Sequence, residues 1–190
     1  MNGPVEEFLG EETPKAKLRT AQAVLGLAFR LNVEVQHDRI SRELYDRDVT
    51  ILTGGTGVRL PAYSEGTEHD LMLGMHNLVL IAIGATALTA DEVLEQAFGK
   101  QDKEVSRQGL RAVVNQIRNA FAHTPWSPKW LIRPHLRQKY EVHLGDSGRF
   151  AFDATTLDGK QLKPEDFGGL EVWVNILQYC EQIVPDGPCA

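Results

Sequence analysis

The sequence predicts a mainly α-helical bundle that carries a small β-hairpin near 140–153 and a second hairpin or ordered loop near 49–60. Two observations predict it. Apolar residues recur at i, i+3 and i+4 through most of the chain, the period of helices with one buried stripe. Strand-like runs are confined to two short segments, each broken by a glycine-bearing turn. No internal repeat or low-complexity linker interrupts the chain, and 190 residues suffice for one domain with a core that needs no staples. The expected organisation is a tail over 1–13, one helical domain over 14–184 and a second tail over 185–190.

Each element has a local reason. Thr13 is an N-cap residue with Pro14 at the first helical position. Leu18, Ala21, Val24, Leu25, Ala28, Phe29 and Leu31 follow at helical spacing and carry a first helix to about Val33. A second amphipathic piece, 38–47, continues or abuts it. In 49–60 the glycines of Thr53-Gly54-Gly55-Thr56-Gly57 serve a turn, because no Gly-Lys-Ser/Thr follows to make a phosphate loop.

A helix resumes at about Thr67 and runs to Leu88. Its segment 71–88 has eighteen uncharged residues but contains His76, Asn77 and Thr86, and Glu68 and Asp70 precede it. No Lys or Arg flanks it, so it reads as a fully buried central helix or a subunit interface rather than a membrane span. His69 and His76 lie one above the other on this helix without a third ligand at suitable spacing, which predicts buried or capping histidines rather than a metal site. Thr89-Ala90-Asp91-Glu92 is a capping-box signature that opens a separate short helix ending near Gly99.

The next helix spans about 103–122. Pro125, Pro128 and Pro134 then punctuate a connector that holds Trp126 and Trp130. Residues 140–144 and 149–153 alternate around Gly145-Asp146-Ser147-Gly148 as a hairpin. A last helix, about 165–183, places Leu170, Trp173, Val174, Leu177 and Cys180 on one stripe.

Composition narrows the function classes. Hydrophobic residues make up 42% and charged residues 24%, as in an ordinary soluble globular protein. The cysteines, Cys180 and Cys189, have no metal-ligand spacing around them, which excludes a disulfide framework or structural zinc and fits a reducing cytoplasm. The first residues are acidic, unlike a basic, apolar signal peptide. No cofactor is expected.

Charge is distributed unevenly. Between Val105 and Tyr140 there is no Asp or Glu but seven Lys or Arg, so a chain of net charge −6 carries −13 outside this segment. A basic belt on an acidic protein points to a phosphate-bearing partner. At its centre stands Arg118-Asn119-Ala120-Phe121-Ala122-His123, which ends the helix as Thr124-Pro125 begins. Leu110, Val113, Val114, Ile117 and Phe121 form the buried stripe of that helix, and Arg111, Asn115, Arg118, Asn119, Ala122 and His123 form the solvent-side arc.

The pair has a chemistry of its own. An imidazole with a pKa of about 6.5 takes or gives a proton at neutral pH, and a permanently charged, bidentate guanidinium suits the extra charge of a phosphorane. Together they can deprotonate a ribose 2′-hydroxyl and stabilise its attack on the adjacent phosphate without a metal. On an ideal helix, however, side chains five apart diverge by about 140°. Either the helix unwinds at His123 before the proline, or a second copy packs across a two-fold axis and the pairs converge. Small residues on the polar arc, Ala112 and Ala122, favour the dimer.

Arg118-Asn119-x-x-x-His123 resembles the signature of HEPN domains, small helical proteins whose motif is Arg, a polar residue, a few spacers and His. The run Ile117–His123 is similar to prokaryotic members in particular. The resemblance implies a helical bundle to which both hairpins are additions. It implies a metal-independent endoribonuclease acting as a homodimer, with Arg118 and His123 catalytic and Asn119 supporting. It further implies an RNA substrate and, for members of toxin–antitoxin pairs, a nucleotidyltransferase partner that neutralises them. Many members keep the fold and do no chemistry, so a non-catalytic module binding nucleotide, RNA or a protein partner is the alternative.

Arg111, Trp126 and Lys129 are the candidates for RNA contact. The two tryptophans, four apart beside Lys129, either stack bases or cap the core beneath the connector. The remaining basic residues of the belt either guide RNA backbone or pair with acids elsewhere in the chain.

Overall fold

The structure is a computed structural model that describes residues 13–40, 47–53, 56–62, 68–100 and 102–186. Its elements run α1 (Pro14–Gln36), β1 (Val49–Thr53), β2 (Thr56–Leu60), α2 (Glu68–Phe98), α3 (Val105–His123), β3 (Lys139–His143), β4 (Arg149–Asp153) and α4 (Leu170–Ile183), with short 3-10 turns at Pro134–Leu136, Gly145–Ser147 and Pro164–Phe167. The chain is mainly helical with two separate antiparallel strand pairs, as the hydrophobic period predicts. It divides into two compact units, one formed by Leu80–Ala190 with the chain up to Leu25, the other by Gly26–Val79.

In the first unit, α1 begins where the Thr13 hydroxyl accepts from the Ala16 backbone N–H at 3.2 Å, the predicted cap. Its first turns are tied by Arg19 and Gln22 to Glu181 and by Lys17 to Glu92. The core is a run of aromatic contacts: Tyr140 on Phe152, Phe152 on Trp130, Trp130 on Phe167 and Phe167 on Trp173. Both buried indoles find acceptors, Trp130 at Asp166 (2.8 Å) and Trp173 at Thr86 (3.0 Å). β3 and β4 pair from Lys139↔Asp153 to His143↔Arg149, the predicted hairpin, and α3 packs against β3.

Two glycines set the spacing of these layers. A methyl on Gly109 would lie 1.9 Å from the Glu141 carbonyl oxygen, and one on Gly84 would lie 2.8 Å from the Phe121 ring. α3 is therefore held between a strand backbone on one side and α2 on the other at distances only glycine permits.

In the second unit, β1 and β2 pair from Val49↔Leu60 to Thr53↔Thr56, so the 49–60 segment is a hairpin. Asp48 secures its open end, accepting from Arg59 and from the Ala62 backbone N–H at 2.9 Å. Asp38, with φ of 51°, and the Arg39–Glu34 ion pair close α1 at Gln36, three residues past the predicted end. The predicted piece over 38–47 falls largely outside the described residues, as do 1–12 of one predicted tail and 187–190 of the other.

Four expectations are corrected. The capping-box signature at Thr89 does not open a new helix: α2 continues from Glu68 to Phe98, and the Thr89 hydroxyl donates back to the Ala85 carbonyl at 3.0 Å. Helix packing at Gly84, Ala87 and Ala90 overrides the local cap. The last helix starts at Leu170 rather than Glu165, because Gly168 and Gly169 adopt φ of 93° and 96° and separate it from the Pro164–Phe167 turn. Finally, α2 is not buried all round. It is long and apolar enough to cross a membrane, but only 33% of that stretch is buried, and Leu73, Ile81 and Leu88 stand exposed. His69 and His76 are likewise exposed, neither buried nor capping.

Candidate functional site

α3 carries the candidate residues. Glu104 accepts from Ser106 at its start, and Thr124-Pro125 ends it just past His123. Leu110, Val113, Val114 and Ile117 are fully buried and Phe121 nearly so, which is the predicted stripe. The opposite arc is less open than its period suggests. Arg111, Asn115, Arg118 and Asn119 are half-buried, because the end of α2 brings an acid over them.

That acid is Asp91, only 7% exposed. Arg118 Nη1 donates to Asn119 Oδ1 at 2.9 Å, and Asn119 Nδ2 donates to Asn115 Oδ1 at 3.1 Å. Asn115 Nδ2 donates to the Asp91 carboxylate at 3.4 and 3.5 Å, and Arg118 Nε lies 3.7 Å from Asp91 Oδ2. Four side chains thus close a ring, and it fixes where the guanidinium sits. Asn119 spends both ends of its amide in this ring and orients Arg118. It makes no hydrogen bond to His123, the partner that the one-turn spacing offers.

His123 stands apart. Its side chain is exposed at the helix end, and it does not line the cavity of about 580 Å³ into which Arg118 faces. That cavity is bordered by Asp91, Glu92 and Glu95 with Arg118 as its one basic residue. His123 is thus not among the residues that surround the Arg118 cavity.

The basic belt is largely neutralised by acids outside it. Arg107 is held by Asp102 at 2.7 and 3.0 Å and lies over the Phe98 ring at 4.1 Å, Arg137 pairs with Asp158, and Lys139 pairs with Asp153. The Arg107 hydrogen bond holds the Asp102 carboxyl below the usual carboxylate range. Among the described residues, no three His, Cys, Asp or Glu side chains gather as a metal site. Cys180 is fully buried, and burial pushes its thiol up to about 12.

The remaining candidates separate. Trp126 is 62% exposed, whereas Trp130 is wholly buried, so the tryptophan pair is split: one caps the core and the other faces solvent. Lys129 is exposed, its backbone bridged to Gln161. Arg111 lines a second cavity, of about 430 Å³, which shares Asp91 with the first. Sequence reasoning missed Asp91 and Asn115 as parts of the site. The i, i+4 pair Asn115/Asn119 was a visible signal, but Asp91 was concealed by its place in an apparent helix start.

Fold and site together define a mainly helical protein with two small hairpins and an Arg–Asn–Asn–Asp ring on α2 and α3. Comparison with protein-family models, curated proteins and solved structures finds no match to this chain.

Proposed function

We propose that the chain is a HEPN-like endoribonuclease that works as a homodimer, cleaving RNA by 2′-hydroxyl attack with Arg118 and His123. The observation that carries it is the difference between the two side chains. Arg118 is held in one pose by Asn119 and Asp91, while His123, five residues on at the end of the same helix, is exposed and unengaged by the ring. A fixed cation and an exposed imidazole are what charge stabilisation and proton transfer respectively require. We infer that a second copy completes the site, since His123 does not line the Arg118 cavity of its own chain. Leu88, exposed and lining the Arg118 cavity, and Ile81, exposed seven residues earlier on α2, supply surface for it.

In this reaction His123 takes the proton of the 2′-hydroxyl, whose oxygen bonds to phosphorus as the bond to the 5′-oxygen breaks. Water protonates that leaving oxygen and takes back the proton held by the His123 imidazolium, and Arg118 faces the charge on the phosphorane. Products carry 2′,3′-cyclic phosphate and 5′-hydroxyl ends. A role as the toxin of a pair with a nucleotidyltransferase belongs to the same proposal.

The acidic border of the Arg118 cavity favours a second reading, a non-catalytic module that binds a protein or nucleotide partner there. Incubation of purified protein with RNA in EDTA decides between them. Cleavage that survives chelation, leaves cyclic phosphate ends and is lost in Arg118→Ala and His123→Ala supports the enzyme. No cleavage by any form, from a protein that is folded and dimeric, leaves the binding module.

A further inference from the structure

The cavity of about 430 Å³ beside α3 contains an imbalance. Among the described residues, the two buried side-chain atoms without a hydrogen-bond partner are Arg111 Nη1 and Gln116 Oε1, and both residues line this one cavity. Gln116 is 1% exposed, so its carbonyl oxygen cannot be satisfied at the surface. A buried donor and a buried acceptor left open are each unfavourable in the free protein, and both become favourable once a ligand supplies the complementary groups.

The other buried or half-buried polar groups around the cavity are engaged, and Glu95, Lys100, Gln108 and Gln138 are exposed to solvent. Asn115 and Asp91 belong to the ring, Asp102 accepts from Arg107, and the Tyr140 hydroxyl donates to the Leu136 carbonyl at 3.0 Å. The buried atoms left open are one donor and one acceptor, with Leu136 and Tyr140 supplying apolar surface. Of the acids in the lining, Asp91 and Asp102 already face Arg118 and Arg107, which leaves Glu95 against Lys100 and Arg111. The complementary ligand carries a hydrogen-bond acceptor beside a donor and fits a small-molecule cavity.

We propose that this cavity binds a single nucleobase, whose edge accepts from Arg111 and donates to Gln116. The choice of a nucleobase among polar rings rests on the RNA reading above; the open donor and acceptor do not. Asp91 lines this cavity and also holds Arg118, so a base bound here belongs to a nucleotide next to the guanidinium. Base recognition then comes from buried atoms and needs, of the basic belt, only Arg111.

Calorimetric titration of the full chain with the four nucleosides, and with short single-stranded RNA, tests this. One base is expected to bind at least roughly tenfold tighter than the weakest, and Gln116→Leu and Arg111→Met each to weaken it roughly tenfold. Thermal melts show whether each variant is folded, and Gln116→Leu, which removes a buried unpaired oxygen, is expected to melt no lower than the native chain. Nucleosides binding as tightly as RNA identify a free nucleotide as the ligand, and tighter binding of RNA identifies the strand. No binding at millimolar concentration, or equal binding by the native chain and both folded variants, overturns the proposal. Cleavage with an unchanged base preference in Gln116→Leu overturns it alone, whereas nucleoside binding by a protein that cuts nothing removes only the cleavage reading.

Discussion

The Asp91 carboxylate, carried by α2, lies 3.7 Å from Arg118 Nε on α3 and accepts from Asn115 on the same helix. It is the more buried partner, its side chain 11% exposed against 41% for Arg118. The ion pair itself, half open to solvent, contributes under about 1 kcal/mol. Loss of the acid also strips half-buried Asn115 of its acceptor inside the structure, which adds part of the cost of an unpaired donor. Asp91→Ala is therefore expected to cost about 1–3 kcal/mol in urea denaturation. Arg118→Ala is expected to cost less than that. Equal losses would show that the ring is not organised around the acid.

The glycines that separate the helices give a sharper contrast. Gly109→Ala places a methyl 1.9 Å from the backbone oxygen of Glu141, an atom that cannot rotate away. Either α3 or β3 must move, and the expected loss is at least about 3 kcal/mol. Gly26 and Gly74 lie within helices and have open space where a Cβ would go, so Gly26→Ala or Gly74→Ala is expected to stabilise by about 0.5–1 kcal/mol. Chemical denaturation of the three variants reads both signs.

Stability is expected to fall in acid, with Asp102 as a contributor. The Arg107 hydrogen bond lowers its folded pKa below 3.8, so its stabilisation is present above the ordinary value and is lost as pH falls through the lower one. Glu181, Asp48, Asp153 and Asp186 are lowered too, each by a hydrogen-bonding neighbour, and add slopes of the same sign. Denaturation midpoints measured between about pH 5 and 3 should therefore drop, and Asp102→Asn should flatten part of that slope. A variant with the native slope would place the acid sensitivity wholly in the other carboxylates.

These expectations also mark what the sequence could convey. The buried stripe of α3, the Thr13 cap and the 140–153 hairpin follow from spacing and turn chemistry within a few residues, and all are present. The continuity of α2 through Thr89 was hidden, because a capping box looks the same whether or not a helix already occupies it. The Asp91–Arg118 relationship joins residues from two helices, and no local pattern encodes which acid α2 lays across α3. The split of Trp126 from Trp130 has the same origin: the Asp166 carboxylate that accepts from one indole comes from a turn 36 positions away.

Whether two copies share the chemistry can be read by mixing inactive chains. If Arg118 and His123 served the same site within one chain, Arg118→Ala and His123→Ala proteins would remain inactive together, because no chain would hold both groups. If the cleft is built across a two-fold axis, a mixed dimer keeps one intact Arg118 and one intact His123 that meet at the interface. Half of randomly exchanged dimers are mixed and one of their two composite sites is complete, so activity should return to roughly a quarter of the native level. The separation of His123 from the Arg118 cavity within a single chain favours this outcome. Exchange is verified by differently tagged chains. Tagged dimers that form freely yet restore no RNA cleavage would place the two groups in unrelated roles.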